Sequence, residues 1–542
     1  MRLLKKTVSV LLVLMLVVSV LMIAPFSASA DSTLSGVFYL KPDSSWLAKG
    51  WDLDPRFTAY FFNDSDSAWV DMTKIDYGTY SVTAPAGDWT GLIFLRMDGR
   101  ADHTQNGWDS GNIWGQTVDY TSATIGDNNC FTVTDTSTWN QVIGTWSKLA
   151  QTTVSFVPGG DWAAANARYA LYGFTDSANN WYDLSADGDS YKTTFYYAWD
   201  KIIICKMKDG TTDNSWDNKE LQTVNLDYVD GGIFALTGAK EGDNYNATYA
   251  KVAGYSLVLK DNIGINFYLN LQNAAGAAAN FTVGGETVSG ALNAATGVTG
   301  ANYVTSYYVP AKSMTDDITM KLSMNGAQWI SKTYSVATYA AEAAETYASD
   351  EDLRKLLCDT LDYGDAVQKF FEYNGDNGYA GSFIDDVDEN WSRTAAPAVL
   401  DDTTTINSLK DGSADLGLKY AGATMSTTSQ TAIRLFFTVT DEDKFAATVA
   451  KIGNNVLEFK DSTSGSMKYI EITGISAKDI FEDYSVRFEN GSNANSYTYN
   501  AANYYDAVVG GSYAETFRTV MKAMYNYSVS AKNYSEGGRQ SQ

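Results

Sequence analysis

An internal repeat is the sequence feature that most constrains how this chain can fold. The segment Arg56–Phe62 returns as Arg168–Phe174, and Trp69-Val70-Asp71-Met72 returns as Trp181-Tyr182-Asp183-Leu184. Three further matches follow in the same order: Leu92–Met97 with Ile202–Met207, Trp108-Asp109 with Trp216-Asp217, and Gln116–Val118 with Gln222–Val224. Because the order is kept and the offset changes only by short deletions, the sequence indicates a tandem duplication.

Each copy of the repeat consists of short β-rich runs separated by Gly, Asp, Asn and Ser. In the first copy these runs are Val37–Leu40, Phe57–Phe62, Tyr80–Val82, Gly91–Met97 and Phe131–Val133. This spacing is typical of an antiparallel sandwich. We therefore expect a mainly β protein that begins with two tandem antiparallel β-sandwich modules, residues 31–150 and 151–240. No Pro-rich or Ser/Gly-rich linker separates the modules, so we expect them to touch.

The sequence changes character after about residue 240, where strand-like segments are followed by a helical pattern. Ser349 and Asp352 have the spacing of a capping box, and leucines then recur at helical intervals. A shorter similarity relates Thr333–Tyr339 to Thr498–Tyr504. We expect a C-terminal region of β-layers covered by α-helices, which the similarity suggests is also doubled, over residues 241–378 and 379–542.

The N-terminal segment indicates where the protein acts, and the net charge limits the kinds of partner that it can bind. Residues 1–30 combine basic residues, an apolar run and Ala28-Ser29-Ala30, which predicts a cleaved signal peptide and a secreted protein. The formal net charge is −25. This acidity argues against nucleic acid and anionic membrane surfaces as partners, because phosphate binding needs clustered Lys and Arg. A neutral ligand is unaffected by it.

Several kinds of reactive site are excluded by residue counts. The three cysteines, Cys130, Cys205 and Cys358, have no metal-ligand spacing and are expected to be buried thiols. The single histidine, His103, lies in a polar loop and is expected to be solvated. We expect no cofactor and no metal, and we expect a protein that is not an enzyme, since neither alternating βα units nor His-flanked aspartates occur.

The aromatic content suggests the chemistry of the ligand. Aromatic residues make up 13% of the chain, including 14 Trp and 36 Tyr. Flat rings stack on the C–H faces of sugars, while nearby polar side chains bind the hydroxyls. Tyr60 and Phe62 share one face of a strand because side chains alternate. Trp69 follows a polar turn and is either buried in the module or exposed as a platform. Arg96 and Gln116 could supply the polar contacts.

An ordered series of residues in the first module resembles a known family. The series is Phe38-Tyr39-Leu40, Trp46, Tyr60, Trp69 with Met72, Gly78-Thr79-Tyr80, Ala84-Pro85, Ile93-Phe94 and Gln116-Thr117-Val118-Asp119. It resembles the family twenty-six starch-binding modules of bacterial amylases. That family carries Trp-Pro-Gly where this chain has Trp69-Val70-Asp71, and one tyrosine of the family's pair is absent from both copies.

The resemblance implies a starch-binding site in each module. By position, the platform of the first module falls on Tyr60 and Trp69, with Phe62 as the second ring and the strand of Gln116 nearby; Arg96 remains a candidate on its residue type alone. In the second module the corresponding residues are Tyr172, Phe174, Trp181, Lys206 and Gln222.

The helix Leu361-x-Tyr363-Gly364-x-Ala366-x-Gln368-x-x-Phe371 resembles one that recurs in β-plus-helix domains of secreted proteins from gut Firmicutes. The combination resembles the noncatalytic starch-adherence proteins of amylosome-forming bacteria. It implies binding of starch or another α-1,4-glucan at the cell surface or in a secreted complex, with other starch-degrading surface proteins as possible partners. The alternatives are an adhesin for protein or cell-wall glycan and, less favoured, a glycoside hydrolase.

Overall fold

The structure is a computed structural model that describes residues 33–50, 53–164, 166–259, 262–375, 378–387, 416–426, 431–463, 465 and 467–536. The expected signal peptide, residues 1–30, lies outside these residues, and so does the segment 388–415 of the second C-terminal repeat. The fold is mainly β, with several antiparallel sheets and helices toward the C-terminus, which confirms the expected fold class. The packing of each N-terminal module as a sandwich stays a prediction.

The chain divides into two compact units. Unit 1 comprises residues 1–156 and 164–231, and unit 2 comprises residues 157–163 and 232–542. The first copy of the N-terminal repeat and most of the second therefore lie in unit 1, while residues 157–163 and 232–240 of the second module fall in unit 2. None of the helices in the described ranges is long and apolar enough to span a bilayer.

The first copy forms two sheets. Its elements are β1 (Val37–Lys41), α1 (Ser44–Leu47), β2 (Arg56–Phe62), β3 (Ser67–Asp71), β4 (Thr73–Asp76), β5 (Thr79–Thr83), β6 (Gly91–Met97), β7 (Ile113–Gln116), β8 (Tyr120–Thr121), α2 (Ser122–Ile125), β9 (Cys130–Asp135) and β10 (Ile143–Ser147). The strand orders are β10-β9-β1-β5-β4 and β3-β2-β6-β7, with β8 also paired to β6. Strands β1 and β9 are parallel to each other.

The second copy repeats one of these sheets strand for strand. Its strands are β11 (Thr152–Val157), β12 (Tyr169–Phe174), β13 (Asn179–Asp187), β14 (Ser190–Phe195), β15 (Lys201–Met207), β16 (Lys219–Gln222) and β17 (Leu226–Asp227). They lie in the order β16-β15-β12-β13-β14-β11, with β17 also paired to β15. The order β13-β12-β15-β16 is that of β3-β2-β6-β7, so the duplicated sequence forms a duplicated sheet.

Strand β6 shows why its sequence is apolar at successive positions. Leu92 and Phe94 are fully buried in the main core of the first copy. Ile93, Leu95 and Met97 point to the opposite face, because side chains alternate along a strand, and they belong to a separate small cluster. Both faces of the strand are therefore covered.

The two copies touch through a carboxylate and a ring. Asp76 accepts a hydrogen bond from the Tyr182 hydroxyl at 2.8 Å and from the Tyr196 backbone N–H at 2.6 Å. The ring of Tyr77 lies 4.9 Å from that of Tyr197. These contacts join the first copy to the second within unit 1, as expected from the missing linker.

The long segment of unit 2 begins with β18 (Gly232–Glu241) and contains two sets of strands and helices. The first set is β19 (Asn244–Leu259), β20 (Ile263–Leu271), β21 (Ala277–Val283), β22 (Glu286–Gly290), β23 (Asn293–Ala294), β24 (Tyr303–Val309), β25 (Ile318–Met324), β26 (Ala327–Tyr334), α3 (Val336–Thr346), α4 (Glu351–Phe370) and α5 (Ser382–Val387). The second set is β27 (Leu418–Ser426), β28 (Ala432–Val439), α6 (Glu442–Ala446), β29 (Val449–Ile452), β30 (Asn455–Leu457), β31 (Lys460–Asp461), β32 (Lys468–Ile472), β33 (Tyr484–Asn490), β34 (Asn493–Tyr499), α7 (Ala502–Val509) and α8 (Glu515–Glu536).

The two sets have the same topology. The first has strand orders β19-β20-β24-β23 and β22-β21-β25-β26, and the second has β27-β28-β32-β31 and β30-β29-β33-β34. In each set the strands are followed by a shorter helix and then a longer one, α3 with α4 and α7 with α8, and the first set has the additional short helix α5. The C-terminal region therefore contains one architecture twice.

The recurrent helix motif in α4 serves packing. Asp350, rather than the predicted Ser349, caps the helix, since its side chain accepts from the Leu353 N–H. Gly364 leaves room for Met314, whose sulfur would lie 2.4 Å from an added Cβ. The buried Gln368 donates to Thr315 at 2.7 Å. The motif therefore fixes this helix against its own domain.

Candidate functional site

Four aromatic rings form a surface cluster on the sheet β3-β2-β6-β7. We call Tyr60, Phe62, Trp69 and Trp108 ring cluster 1. Tyr60 is at its centre, with ring centroids 5.7 Å from Phe62, 4.9 Å from Trp69 and 5.0 Å from Trp108. Trp69 and Trp108 are also 5.0 Å apart. The first three rings are half-buried and Trp108 is 44% exposed, so the cluster presents apolar ring surface to solvent.

The second copy builds the same cluster from equivalent residues. Ring cluster 2 consists of Tyr172, Phe174, Trp181 and Trp216. Tyr172 lies 5.7 Å from Phe174, 4.9 Å from Trp181 and 4.8 Å from Trp216, and the two tryptophans are 4.9 Å apart. Trp216 is 43% exposed. Corresponding distances agree with those of ring cluster 1 to within 0.2 Å.

Strand register places the central pair of rings in each cluster. Tyr60 is directly opposite Trp69 in the antiparallel pair β2–β3, and Tyr172 is directly opposite Trp181 in β12–β13. Directly opposite side chains lie on one face and about 5 Å apart. In the first copy the Asn63 side chain accepts from the Ser65 and Asp66 N–H groups and so closes the turn that sets this register.

A buried apolar layer supports each cluster from below. Three rings of ring cluster 1, Tyr60, Phe62 and Trp69, pack on Ile93, Leu95 and Met97 of β6. The equivalent three rings of ring cluster 2 pack on the equivalent residues of β15. One of these, Cys205, is fully buried, and burial raises the pKa of its thiol to about 12. The layer leaves the rings little freedom to sink into the sheet.

Trp108 and Trp216 complete the clusters although they were not among the predicted site residues. Each lies in the loop before the last strand of its sheet, β7 or β16, where no strand periodicity predicts the direction of a side chain. A signal was nevertheless present, because Trp108-Asp109 and Trp216-Asp217 match in the duplication. A tryptophan that recurs in an otherwise dissimilar loop indicates a shared contact.

The structure separates two predicted polar residues from the clusters. Arg96 alternates with Leu95 and Met97, so it lies on the opposite face of β6, where its Nε donates to the Trp46 carbonyl at 2.8 Å. Lys206 holds the equivalent position on β15 and forms an ion pair with Glu220 at 3.3 Å. Neither side chain is brought together with the four rings of its copy.

The predicted glutamines lie on the cluster side of their sheets. Gln116 is opposite Leu95 and Gln222 is opposite Cys205, two residues of the supporting layers. Lys219 Nζ lies 5.8 Å from the Trp216 ring centroid and donates to the Gln222 side chain. By strand pairing, Ile113 takes the place of Lys219 in the first copy, so the two surfaces differ in charge at this point.

His103 is held by charged partners, in contrast to the solvated histidine expected from its loop. Its Nδ1 lies 3.1 Å from the Asp98 carboxylate, which is 1% exposed and also pairs with Arg100 at 2.6 Å. Hydrogen bonds from Arg100 hold the pKa of the Asp98 carboxyl below its usual range. This network fixes the loop that leads to Trp108.

The rings and the edge glutamines of each copy can bind a ligand. In the described ranges, no three His, Cys, Asp or Glu side chains come together as metal ligands would. Exposed rings on a rigid apolar base can stack on a flat, weakly polar ligand face, and the glutamines at the edge can bind hydroxyl groups. The same geometry occurs twice in one unit.

Comparison with known proteins identifies no family for this chain and only weak structural similarities. No family model matches the chain, and no curated protein matches it. Among solved structures, a streptococcal ancillary pilin gives a TM-score of 0.12 at 9% identity, covering 56% of this chain and 95% of the pilin. The plexin A4 extracellular region gives 0.14 at 10% identity, covering 82% of this chain and 38% of plexin.

A bacterial ice-binding adhesin gives a TM-score of 0.10 at 9% identity, covering 56% of this chain and 96% of the adhesin. None of these three is a starch-binding module. At such scores the similarity carries no argument about fold or function.

Proposed function

We propose that the protein binds starch or another α-1,4-glucan without cleaving it, through ring clusters 1 and 2. The observation that supports this most is the repetition of one four-ring surface at equivalent positions of both copies. A duplicated surface of this kind matches a polymer that presents the same sugar face again and again. The resemblance of the first copy to starch-binding modules points to glucose polymers within that class.

The chemistry of the clusters favours a neutral carbohydrate. The rings offer apolar faces for the C–H side of a glucose ring, and Gln116 and Gln222 stand on the same side of their sheets for hydroxyl contacts. The protein carries a formal net charge of −25, which a neutral polymer does not oppose. The function that follows is adhesion of the protein to starch, outside the cell or at its surface.

Two sites on one polymer would strengthen retention. When two weak sites in a fixed relation engage the same chain, avidity can exceed either affinity by about 10²- to 10⁴-fold. The contacts of Asp76 with Tyr182 and Tyr196 hold the two copies together and so supply a fixed relation. Binding to a long glucan is therefore expected to exceed binding to a short oligosaccharide.

Retention on insoluble starch tests the proposal. The double variant Trp69→Ala with Trp181→Ala should lose most of its retention, while each single variant should keep part of it. Trp139→Ala is the matched control, because Trp139 is 60% exposed and lies outside both clusters. Retention of the double variant at the level of the unmodified protein would refute the site.

Two further measurements test the alternative functions, a glycoside hydrolase and an adhesin. Release of reducing sugar from amylopectin would indicate a glycoside hydrolase instead. Retention on peptidoglycan but not on starch would indicate an adhesin for cell-wall glycan.

A further inference from the structure

A three-residue polar network ties the loop that carries Trp108 to the strands that carry the other rings. Arg56 Nη1 donates to Asp71 at 2.7 Å and to the Asn106 side-chain oxygen at 2.6 Å. Asn106 in turn donates to Asp71 at 3.0 Å. Each member of the network therefore contacts the other two, and Asn106 is only two residues before Trp108.

The second copy contains the same network. Arg168 Nη1 donates to Asp183 at 3.1 Å and to the side-chain oxygen of Asn214, and Asn214 donates to Asp183 at 3.1 Å. Asn214 is again two residues before the tryptophan, Trp216. Arg168 directly precedes β12, the strand that carries the central tyrosine, whereas Arg56 is the first residue of β2. The aspartate follows Trp181 by two positions, as Asp71 follows Trp69.

The loops around the two asparagines otherwise differ. The first is held by Asp98, Arg100 and His103, whereas in the second Lys208 donates to the Asp217 carbonyl and Arg168 to Thr211. The polar network is thus retained where most of the surrounding loop has changed. Its retention points to the one outcome that both loops share, a tryptophan ring about 5 Å from the central tyrosine.

Strand alternation places this network beside the rings rather than beneath them. Arg56 and Tyr60 are four residues apart on β2, and Asp71 and Trp69 are two residues apart on β3, so all four share one face. The Arg56 side chain is 21% exposed. The Asp71 side chain is 57% exposed. Hydrogen bonds with a charged donor or acceptor are stronger than neutral ones and hold their partners in fixed directions.

We propose that Asn106 and Asn214 are positioning residues, which hold Trp108 and Trp216 against the other rings before ligand arrives. Each asparagine is hydrogen-bonded to both members of its Arg–Asp pair, because its side-chain oxygen accepts from the arginine and its side-chain nitrogen donates to the aspartate. A loop held in this way loses less conformational freedom on binding, which strengthens binding without an added ligand contact. The consequence for affinity rests on the proposed glucan-binding function.

The asparagine-to-alanine double variant, Asn106→Ala with Asn214→Ala, tests the proposal while leaving every ring in place. Near-ultraviolet circular dichroism of the ligand-free protein should lose intensity, because the coupling between rings about 5 Å apart depends on their mutual orientation. The dissociation constant for maltoheptaose should rise about fivefold or more, consistent with losing hydrogen bonds to charged groups. Asn128→Ala is the control, because Asn128 bonds the Ile125 carbonyl away from the rings.

A second double variant gives a readout that a purely structural role would not produce. Asn106→Asp with Asn214→Asp keeps the size of each side chain but sets a second carboxylate beside Asp71 and Asp183. Like-charge proximity raises the pKa of such a pair. Maltoheptaose binding by this variant should therefore be weak near neutral pH and recover as the pH falls toward about 4, when one carboxyl is protonated. The unmodified protein should show no such recovery.

The dichroism and the affinity measurements distinguish failure of the positioning role from failure of the proposed glucan-binding function. An unchanged ring signal and unchanged affinity in the alanine variant would overturn the positioning role. If the unmodified protein does not bind maltoheptaose, the proposed function fails. The ligand-free dichroism still decides whether the asparagines position the tryptophans.

Discussion

The ring of Tyr60 lies 4.9 Å from the ring of Trp69, and the same distance separates Tyr172 from Trp181. Both pairs are directly opposite each other in an antiparallel hairpin. The spacing is therefore a consequence of strand register, since a slip of one residue would turn every side chain of the strand to the other face. The centre of each proposed binding surface is fixed by the sheet itself.

Removal of the loop tryptophan should weaken its own site and spare the other. Trp108→Ala takes away one exposed ring, and we expect a loss of about 1–2 kcal/mol of binding free energy at ring cluster 1, in line with removal of a partly buried aromatic contact. This corresponds to a rise of about five- to thirtyfold in the dissociation constant of that site. Titration of the variant with maltoheptaose by calorimetry measures it.

Trp216→Ala should have the same effect on ring cluster 2. Equal affinities for the unmodified protein and both loop variants would exclude these two tryptophans from the site. The control is again Trp139→Ala, whose affinity should not change.

Acid should loosen the loop before Trp108 more than its counterpart in the second copy. Hydrogen bonds from Arg100 lower the pKa of Asp98, so its ionised form stabilises the fold above the ordinary aspartate pKa of about 3.9. That stability is lost as the pH falls through the lowered pKa. We expect Asp98→Asn to be less stable than the unmodified protein at neutral pH and to lose less stability between about pH 5 and pH 2.

Thermal unfolding followed by tryptophan fluorescence across this pH range measures the difference. Asp102→Asn is the control, because the Asp102 side chain is 82% exposed and its carboxylate lies 3.8 Å from His103 Nε2. Parallel pH profiles for Asp98→Asn and the unmodified protein would contradict the assigned role of Asp98.

The stacked tyrosines of the C-terminal helices should couple the two repeats of unit 2. Tyr363 of α4 and Tyr527 of α8 lie 5.4 Å apart with an angle of 12° between their rings, and both are nearly fully buried. We expect each alanine variant to lose about 3–5 kcal/mol of the free energy of unfolding, as for other buried aromatic truncations. Denaturant unfolding of the single and double variants measures the coupling.

A coupling of about 0.5–3 kcal/mol is expected for residues in direct contact. Strictly additive losses would show that the two rings act independently. Tyr347→Ala serves as the control, because Tyr347 is 52% exposed.

The sequence predicted most where regular spacing carries the information. Period-two alternation put Tyr60 and Phe62 on one face, and the structure places them there. It could not decide whether Trp69 was buried, because that depends on Trp108, which arrives from a loop. The same alternation, applied along β6, would have placed Arg96 away from the rings.

The fold of the C-terminal region was harder to predict, because its two repeats have the same strand order but few identical residues. The strand orders of the two sets agree, yet only short sequence matches marked them. Strand pairing is decided by contacts distant in sequence, which local patterns do not contain. The stacking of Tyr363 on Tyr527 is a contact of this kind, since it joins helices from different repeats.

Calorimetric stoichiometry with maltoheptaose tests the central claim most directly. The account predicts two molecules bound per chain for the unmodified protein, one for either Trp69→Ala or Trp181→Ala, and none for the double variant. Far-ultraviolet dichroism confirms that each variant remains folded. Two bound molecules in the folded double variant, or none in the unmodified protein, would contradict it.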